Sequence, residues 1–332
     1  MSVPAGIIIS IIFGITPMAV LAFILTWFDR YEKEPVWLMI GVFLWGFVIA
    51  AGTALILNTA FGIVLFVASG SSNLADVGAA VLSAPIVEES VKGLAVLIVF
   101  LFFRDEFDSI LDGVIYGSLV GFGFAAAENI NYIFNGFLQN GSQGLVTLII
   151  VRVFLIPFLH ATLTSMTGIG LAVGRLNKGF WHFGGPILGF LTAIGLHFFH
   201  NVLSSVPDPL VCLLGDVVDW IGFIGMFVFI LILVWREGKV VREQLAEEVA
   251  LGNMTQAQYE TAGSIGAQFA ARWGARAGGH WRDATRFYDL AGDLAFRKYQ
   301  LARLGVAREP QAPAQIEQLR GQMASLRPRL SG

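Results

Sequence analysis

The chain has 332 residues, of which 56% are hydrophobic and 14% charged, and its formal net charge is −3. Because soluble domains carry roughly 25% charged residues, this composition excludes an ordinary soluble protein and indicates a membrane protein. The single cysteine, Cys212, excludes an intrachain disulfide and a cysteine-based metal site.

Apolar runs long enough to form helices that cross a bilayer follow one another along residues 1–235. These runs cover residues 5–27, 36–69, 76–103, 110–134, 145–173, 181–204 and 210–235. The first run has no basic residue before it and no small-residue cleavage pattern after it, so we expect a retained span rather than a signal peptide. The sequence predicts an all-α polytopic membrane protein, a bundle of about seven transmembrane helices.

The connectors between these runs alternate in charge. Lys or Arg occurs in "DRYEKEP", "FRDEFDS" and "GRLNKG", whereas "SGSSNLAD", "NGFLQNGSQG" and "SSVPDP" contain neither. Since basic connectors stay on the cytoplasmic side, we expect an integral plasma-membrane protein with its N-terminus outside and its C-terminus in the cytoplasm.

A change of composition after Trp235 predicts a second region. Residues 1–235 carry 7 Lys/Arg and 14 Asp/Glu, whereas residues 236–332 carry 14 and 10. The second region has helical periodicity, and its segment "GNMTQAQ" combines a helix-stopping glycine with Thr255 as a helix cap. We therefore predict a transmembrane bundle over residues 1–235 and a basic, helical, partly disordered cytoplasmic tail over residues 236–332.

Ionisable residues inside the predicted spans are the main functional signal. Each costs about 2.5–3.5 kcal/mol at a helix centre on insertion scales, and such groups usually face one another or a water-filled cavity. They are Glu88, Glu89, Lys92, Glu128, Arg152, His160, His197, His200, Asp216 and Asp219. We expect them to contribute to one shared site.

Spacing within the third span predicts a division of labour between two glutamates. Glu88 and Lys92 are four residues apart and share a helix face, whereas Glu89 projects about 100° away. We expect the ammonium group to hold one carboxylate while the other meets water.

The sixth span offers imidazoles on one face. His197 and His200 are three residues apart, and Asn201 is four residues from His197, so that it can orient this ring or bind a reaction intermediate. Carboxylates with neutral imidazoles suit metal-assisted or carboxylate-assisted activation of water. A second carboxylate then takes the proton and passes it to a leaving amine.

Several of these residues also have a structural interpretation. Glu88 and Lys92 can form an ion pair that joins helices, His197 or His200 can be an interhelical hydrogen-bonding group, and Glu128 can bond neighbouring amides.

Other polar residues are weaker candidates. Asp216 and Asp219 lie near the outer end of their span, which favours interfacial solvation. Arg152 suits a carboxylate partner better than a catalyst. His182 lies at a cytoplasmic helix end and His280 in the tail, so neither is a candidate.

Four segments together resemble the motifs of a known family. "EESVK", "FAAAE", the histidine of "FLHATLTSMTGIGL" and "HFFHN" resemble, in order and spacing, the motifs of the PrsW family of intramembrane proteases, which is related to the CAAX prenyl proteases. "DRYEKEP" is similar to the family's first connector, and the resemblance covers residues 1–235.

The resemblance implies proteolysis in or beside the membrane by a metalloprotease or a glutamic-type protease. Some members cleave a membrane-anchored anti-sigma factor. The motif positions expected to be catalytic are Glu88, Glu89, Lys92 and Asn201. The positions expected to bind a divalent metal, with zinc as the expected ion, are Glu128, His160, His197 and His200. Glu128 stands where the CAAX relatives have histidine, which argues against a prenylated substrate.

Two other function classes stay open at this stage. A divalent-metal or proton transporter uses the same residue types, although no internal repeat is visible. A non-catalytic scaffold with a basic tail would leave the buried glutamates unexplained. We expect a membrane-protein substrate and the lipid bilayer as partners, and no nucleic acid.

Overall fold

A computed structural model describes residues 1–330 of the chain. Helices account for 87% of the chain, and the described residues contain no strand, so the all-α class is confirmed. The helices are α1 (Val3–Thr26), α2 (Val36–Leu44), α3 (Ala51–Ser69), α4 (Ser72–Gly78), α5 (Ala84–Phe102), α6 (Ile110–Ile149), α7 (Leu159–Leu176), α8 (Phe180–Ser205), α9 (Pro209–Ala250), α10 (Gln256–Ala262), α11 (Ile265–Ala277), α12 (Trp281–Leu304) and α13 (Ala312–Leu326).

Short π-helical and 3-10 turns join several of these helices. The π-helical turns are Trp45–Ala50, Ala79–Ser83 and Ile150–Leu155, and the 3-10 turns are Arg104–Glu106 and Arg327–Leu330. π-Helical turns are rare overall, and those that do occur are frequently found at functional sites.

The described helices include five that are long and apolar enough to cross a membrane. They are Val3–Thr26, Val36–Ser69, Ile110–Leu176, Phe180–Ser205 and Pro209–Ala250. The continuous stretch Ile110–Leu176 contains two of the predicted spans, whereas α5 carries Glu88, Glu89 and Lys92 and is not among the five. Membrane-crossing helices are therefore present, and the count of seven stays a prediction.

The helix α6 reverses direction where the sequence predicts a connector. Asn140 and Gly141 depart from helical geometry, and Gly141 has φ 61°, a conformation that favours glycine. Beyond this point the chain folds back, since a Cβ atom on Gly144 would lie 2.2 Å from the Gly136 carbonyl oxygen. The turn thus separates the two predicted spans that are merged within Ile110–Leu176.

A stripe of glycines brings α6 against α7. A Cβ atom on Gly113, Gly117 or Gly121 would lie 2.4, 2.7 or 2.3 Å from the α7 backbone. Small residues four apart allow close helix crossing in a bilayer, where packing rather than hydrophobicity joins helices. The last contact is with the His160 carbonyl group, so the stripe holds the start of α7 beside α6.

The chain divides into two compact units, residues 1–26 with 35–229 and residues 27–34 with 230–332. In the second unit, Thr255 caps α10 through a reciprocal bond with Gln258, as its position in the sequence predicts. The domain boundary between residues 235 and 236 stays a prediction.

A buried carboxylate organises the second unit. Glu248 is fully buried and accepts hydrogen bonds from Arg320 at 2.7 Å, Lys298 at 2.8 Å and Asn253 at 2.7 Å. These donors lower the pKa of Glu248 to about 2, although burial alone would raise it. This carboxylate therefore joins α9 to α12 and α13.

Candidate functional site

The helix α5 carries the first motif and is tied to its neighbours within the first unit. The indole Nε1 of Trp45 donates to the carbonyl group of Val91 at 3.0 Å. Glu89 and Lys92 are 0% exposed and Glu88 is 5% exposed. Full removal of these charges from solvent requires partners inside the protein.

Lys92 forms its shortest bond with Glu89. Its Nζ lies 2.5 Å from Glu89 Oε1 but 3.9 Å from Glu88 Oε2. The ammonium group also donates to His160 Nδ1 at 3.2 Å and lies 4.3 Å from the centre of the Phe124 ring. The expected pairing with Glu88 is thus the longer contact. Glu89, three residues before Lys92, brings its carboxylate closer to the ammonium group than Glu88 does, four residues before it.

Both carboxylate oxygens of Glu89 have hydrogen-bond partners. Besides Lys92, its Oε2 accepts from the Thr164 hydroxyl at 3.0 Å, and its Oε1 lies 3.0 Å from His197 Nδ1. Since an ionised carboxylate only accepts, His197 donates from Nδ1, and its Nε2 is left with a lone pair. A carboxylate behind a histidine typically fixes the ring for metal binding.

Glu88, in contrast, has a hydrogen-bond partner on only one of its two carboxylate oxygens. Its Oε1 accepts from Asn58 Nδ2 at 3.3 Å, but its buried Oε2 has no hydrogen-bond partner. This oxygen lies 3.8 Å from His197 Nε2. One ligand atom each from Glu88, His160 and His197 lies within 4.8 Å of the others, an arrangement that can hold a metal ion.

Glu128 adjoins this group without being part of it. It forms an ion pair with Arg152, and its Oε2 lies 2.7 Å from His160 Nε2. Arg152 also donates to Asn129 at 2.8 Å and lies 4.1 Å from the Tyr132 ring centre. Arg152 is therefore a carboxylate partner, as its sequence context predicts.

His200 and Asn201 have other partners. His200 Nδ1 lies 2.7 Å from Asp219 Oδ2, and its Nε2 lies 3.3 Å from the Ser204 hydroxyl. Asn201 donates to the Ala80 carbonyl group at 2.7 Å. The structure does not bring these two residues to Glu88, and their predicted roles stay predictions. Asp219, expected to be solvated at the interface, bonds to a histidine instead.

A cavity of about 1050 Å³ adjoins the glutamates in the first unit. Its polar wall includes Glu88, Glu128, Asn58 and Tyr132, and the rest is largely apolar. Ligand sites commonly have about 300–1,000 Å³ and few polar groups. The cavity is therefore as large as a typical ligand site.

Two polar residues of this site are missed by a search for ionisable groups. Asn58 bonds Glu88 and accepts from the Ser83 hydroxyl at 2.8 Å. Thr164 bonds Glu89. The sequence feature that could have revealed Asn58 is its position as an asparagine within an otherwise apolar run, since an uncharged polar group in hydrocarbon also needs a partner.

Comparison with known proteins gives two kinds of match. Residues 34–235 match the sequence profile of a family described as PrsW family intramembrane metalloprotease. The protein named Protease PrsW of Geobacillus kaustophilus is 34% identical over 140 residues, 42% of this chain and 55% of that protein. The Protease PrsW of Clostridioides difficile is 38% identical over 107 residues, 32% and 43% of the two chains.

The chain thus spans about half the length of the curated relatives it matches. No solved structure matches it at a significant level. The family resemblance predicted from the four motifs is confirmed.

Proposed function

The chain belongs to the PrsW family of intramembrane metalloproteases, and from this premise we propose that it hydrolyses a peptide bond of a membrane-anchored protein, such as an anti-sigma factor or a similar regulator. One observation carries the proposal. The buried Oε2 of Glu88 has no hydrogen-bond partner, lies 3.8 Å from His197 Nε2 and 3.9 Å from Lys92 Nζ, and belongs to a residue that lines the cavity. A carboxylate oxygen in this position suits proton transfer from a water molecule.

The residues present fit a divalent metal. Imidazole nitrogens are common zinc ligands, and one atom each of His160, His197 and Glu88 lies within 4.8 Å of the others. His160 and His197 would hold the ion, and we propose zinc. Glu88 stays beside the ion as the base, since its buried Oε2 has no hydrogen-bond partner and a charge there needs compensation. A bound zinc ion would supply Lewis-acid polarisation and a water molecule of lowered pKa.

Side chains of the protein perform the proton transfer and position the histidine rings. Glu88 Oε2 accepts the proton of the attacking water and delivers it to the leaving amine. Glu89 holds the His197 ring through Nδ1, and Lys92 offsets the charge of Glu89. Glu128 contacts the other ring, His160, at Nε2, and Lys92 contacts it at Nδ1, so a bound ion would displace one of these two partners. This division gives Glu88 the chemical role and Glu89 a positioning role.

The cavity supports a polypeptide substrate. Beside the glutamates it presents Leu55, Ile63 and Phe66 together with several alanines and glycines. An apolar wall with small side chains accepts a hydrophobic segment close to the backbone, and Asn58 and Tyr132 offer polar contacts to a peptide group. The substrate we propose is therefore a membrane-embedded or membrane-proximal segment.

We propose that the N-terminus lies outside the plasma membrane and that residues 236–332 are cytoplasmic. What supports this orientation is the alternation of basic and non-basic connectors. The first basic connector, residues 27–34, also packs in the same unit as the C-terminal region, which supports a position of both segments on one side of the membrane.

The test is a comparison of newly formed N-termini in membrane proteins of cells that express the protein or its Glu88→Gln variant. We expect membrane-protein fragments that appear with the wild-type chain and are lost with the variant. The control is Asp219→Asn, which alters the separate His200 pair and should preserve the fragments. Equal fragments with Glu88→Gln and the wild type would contradict the proposal.

A further inference from the structure

Exposed tryptophans beside cations occur at the ends of two apolar helical segments. Trp27 directly follows α1, is 58% exposed and lies 3.6 Å from the Arg30 guanidinium. Trp235 closes the apolar part of α9, is 61% exposed and lies 4.3 Å from the Lys239 ammonium. Tryptophan at the level of the headgroups, with a cation on its polar side, is typical of membrane interfaces.

The same pair recurs on α11, far from any apolar span in the sequence. Trp273 is 63% exposed, and its ring centre lies 5.4 Å from the Arg276 guanidinium. Phe269, one turn earlier, is 58% exposed and stacks on the tryptophan with ring centres 6.1 Å apart. Ala270, between them, is exposed as well. Helix α11 therefore presents a continuous apolar face that no described residue covers.

All charged residues of α11 are basic. Its 13 residues include Arg272 and Arg276 and no acidic residue. Arg272 is engaged with Asp289 at 2.9 Å, whereas Arg276 is exposed beside the aromatic pair. An apolar face bordered by arginine complements an anionic lipid surface.

Packing within the second unit keeps α11 beside the first connector. Asp289 joins the two segments, since its Oδ1 lies 2.9 Å from Arg272 of α11 and 3.3 Å from Lys33 of the connector. Tyr31 is 5% exposed, and a Cβ atom on Gly292 would lie 1.7 Å from its carbonyl oxygen. This connector directly follows the apolar helix α1 in the chain, since Arg30 is only four residues from the end of α1.

We propose that α11 is an interfacial helix, which inserts Phe269 and Trp273 into the headgroup region of a bilayer and sets Arg276 against anionic lipid. The partner is thus a lipid surface. The inference rests on the second unit alone and does not depend on proteolysis. It gives the C-terminal region a role in binding anionic lipid.

The experiment uses the full chain in lipid nanodiscs with an environment-sensitive fluorophore on one cysteine. Cys212→Ser removes the native thiol, and Ala270→Cys adds a thiol between the two aromatic residues. The matched control is Ala324→Cys, which changes an equally exposed alanine on α13. Nanodiscs of phosphatidylcholine alone are compared with nanodiscs containing phosphatidylglycerol, with quenchers either dissolved in water or attached to lipid.

The expected result is a blue-shifted emission at position 270 that lipid-attached quenchers reduce at least twofold more than at position 324. This difference should increase with phosphatidylglycerol, and Arg276→Gln should remove at least half of the increase. Replacement of Phe269 and Trp273 by serine should abolish the blue shift while the probe at position 324 reports an unchanged environment.

Two results would overturn the proposal. One is equal access of aqueous quencher to positions 270 and 324 in every lipid, which would mean that the face is in water. The other is protection of position 270 from both aqueous and lipid-attached quenchers, which would mean that protein, such as a second copy of the chain, covers it.

Discussion

His197 Nδ1 lies 3.0 Å from Glu89 Oε1, so the carboxylate that Lys92 neutralises also orients a histidine of the candidate metal site. Oε2 of the adjacent Glu88 has no hydrogen-bond partner and lies 3.8 Å from Nε2 of the same ring. Two neighbouring glutamates in one helix thus have different environments. That difference allows their substitutions to be distinguished.

Glu88→Gln should reduce cleavage by about 10²–10⁴-fold, the usual effect of removing a general base, with little loss of thermal stability. Its Oε2 forms no hydrogen bond, so the amide loses little. Glu89→Gln should lower both activity and the melting temperature, because Lys92 loses the charge of its closest partner. Cleavage of a reconstituted membrane substrate and thermal unfolding of each variant check this. A stable, fully active Glu88→Gln variant would remove Glu88 from the mechanism.

Metal content should depend on His160 and His197 but not on His200. His160→Ala and His197→Ala each remove one of the three grouped ligands. His200→Ala removes a ring that bonds Asp219 instead. Elemental analysis of purified protein should therefore give near-stoichiometric zinc for the wild type and His200→Ala, and at least tenfold less for the other two. Loss of zinc in His200→Ala alone would locate the metal at the other histidine.

Asn58→Ala should slow cleavage about tenfold and leave zinc content unchanged, because its amide positions Glu88 Oε1 without joining the ligand group. A hydrogen bond to a charged group contributes about 1.5–3 kcal/mol, and a tenfold change in rate corresponds to about 1.4 kcal/mol, near the lower end of that range. The matched control is Asn135→Ala, which removes an exposed bond to Asn131 outside this pair. Equal turnover of Asn58→Ala and Asn135→Ala would show that Asn58 has no positioning role.

Gly121→Ala should destabilise the first unit by about 1–3 kcal/mol, the typical cost of overpacking. The added Cβ atom would lie 2.3 Å from the His160 carbonyl oxygen, so α7 must shift and carry its histidine away from Glu88. Gly52→Ala is the control, since nothing lies within 4 Å of its Cβ position. Thermal unfolding in detergent and zinc content should both distinguish the two variants.

Glu248→Gln should destabilise the second unit at neutral pH by about 3–5 kcal/mol, the cost of removing one partner from a buried ion pair. Because the pKa of Glu248 falls to about 2 in the folded chain, its contribution is complete above the unfolded value near 4.5 and is lost as the pH falls towards 2. The two chains should therefore converge in stability on acidification. Hydrogen exchange of residues 236–330 measures this in the full-length protein.

Glu247→Gln is the matched control for that experiment. Glu247 contacts the same Lys298 and Arg320, but its side chain is 60% exposed. Exposed pairs contribute only about 0–1 kcal/mol, so its substitution should change exchange little at any pH. Similar effects of the two variants would mean that burial of Glu248 is not what stabilises the unit.

The sequence by itself determined the helical class, the presence of membrane-crossing segments, the ionisable residues from which the site is built, and the family. Composition and hydropathy are local properties, and a charge in hydrocarbon is conspicuous because it is costly. The connector around Asn140 and the cap at Thr255 were predictable for the same reason, since turns and caps depend on a few adjacent residues.

Only the tertiary structure decided which of these polar residues meet. The helix spacing of Lys92 permits contact with Glu88 or Glu89, and the rings and carboxylates of other helices determine which is closer. His200 shares a helix face with His197 yet bonds Asp219 on α9, and Asn58 reaches Glu88 from α3. Such choices depend on how helices cross, and here the crossing of α6 and α7 is set by glycine contacts between residues about 40 to 55 positions apart.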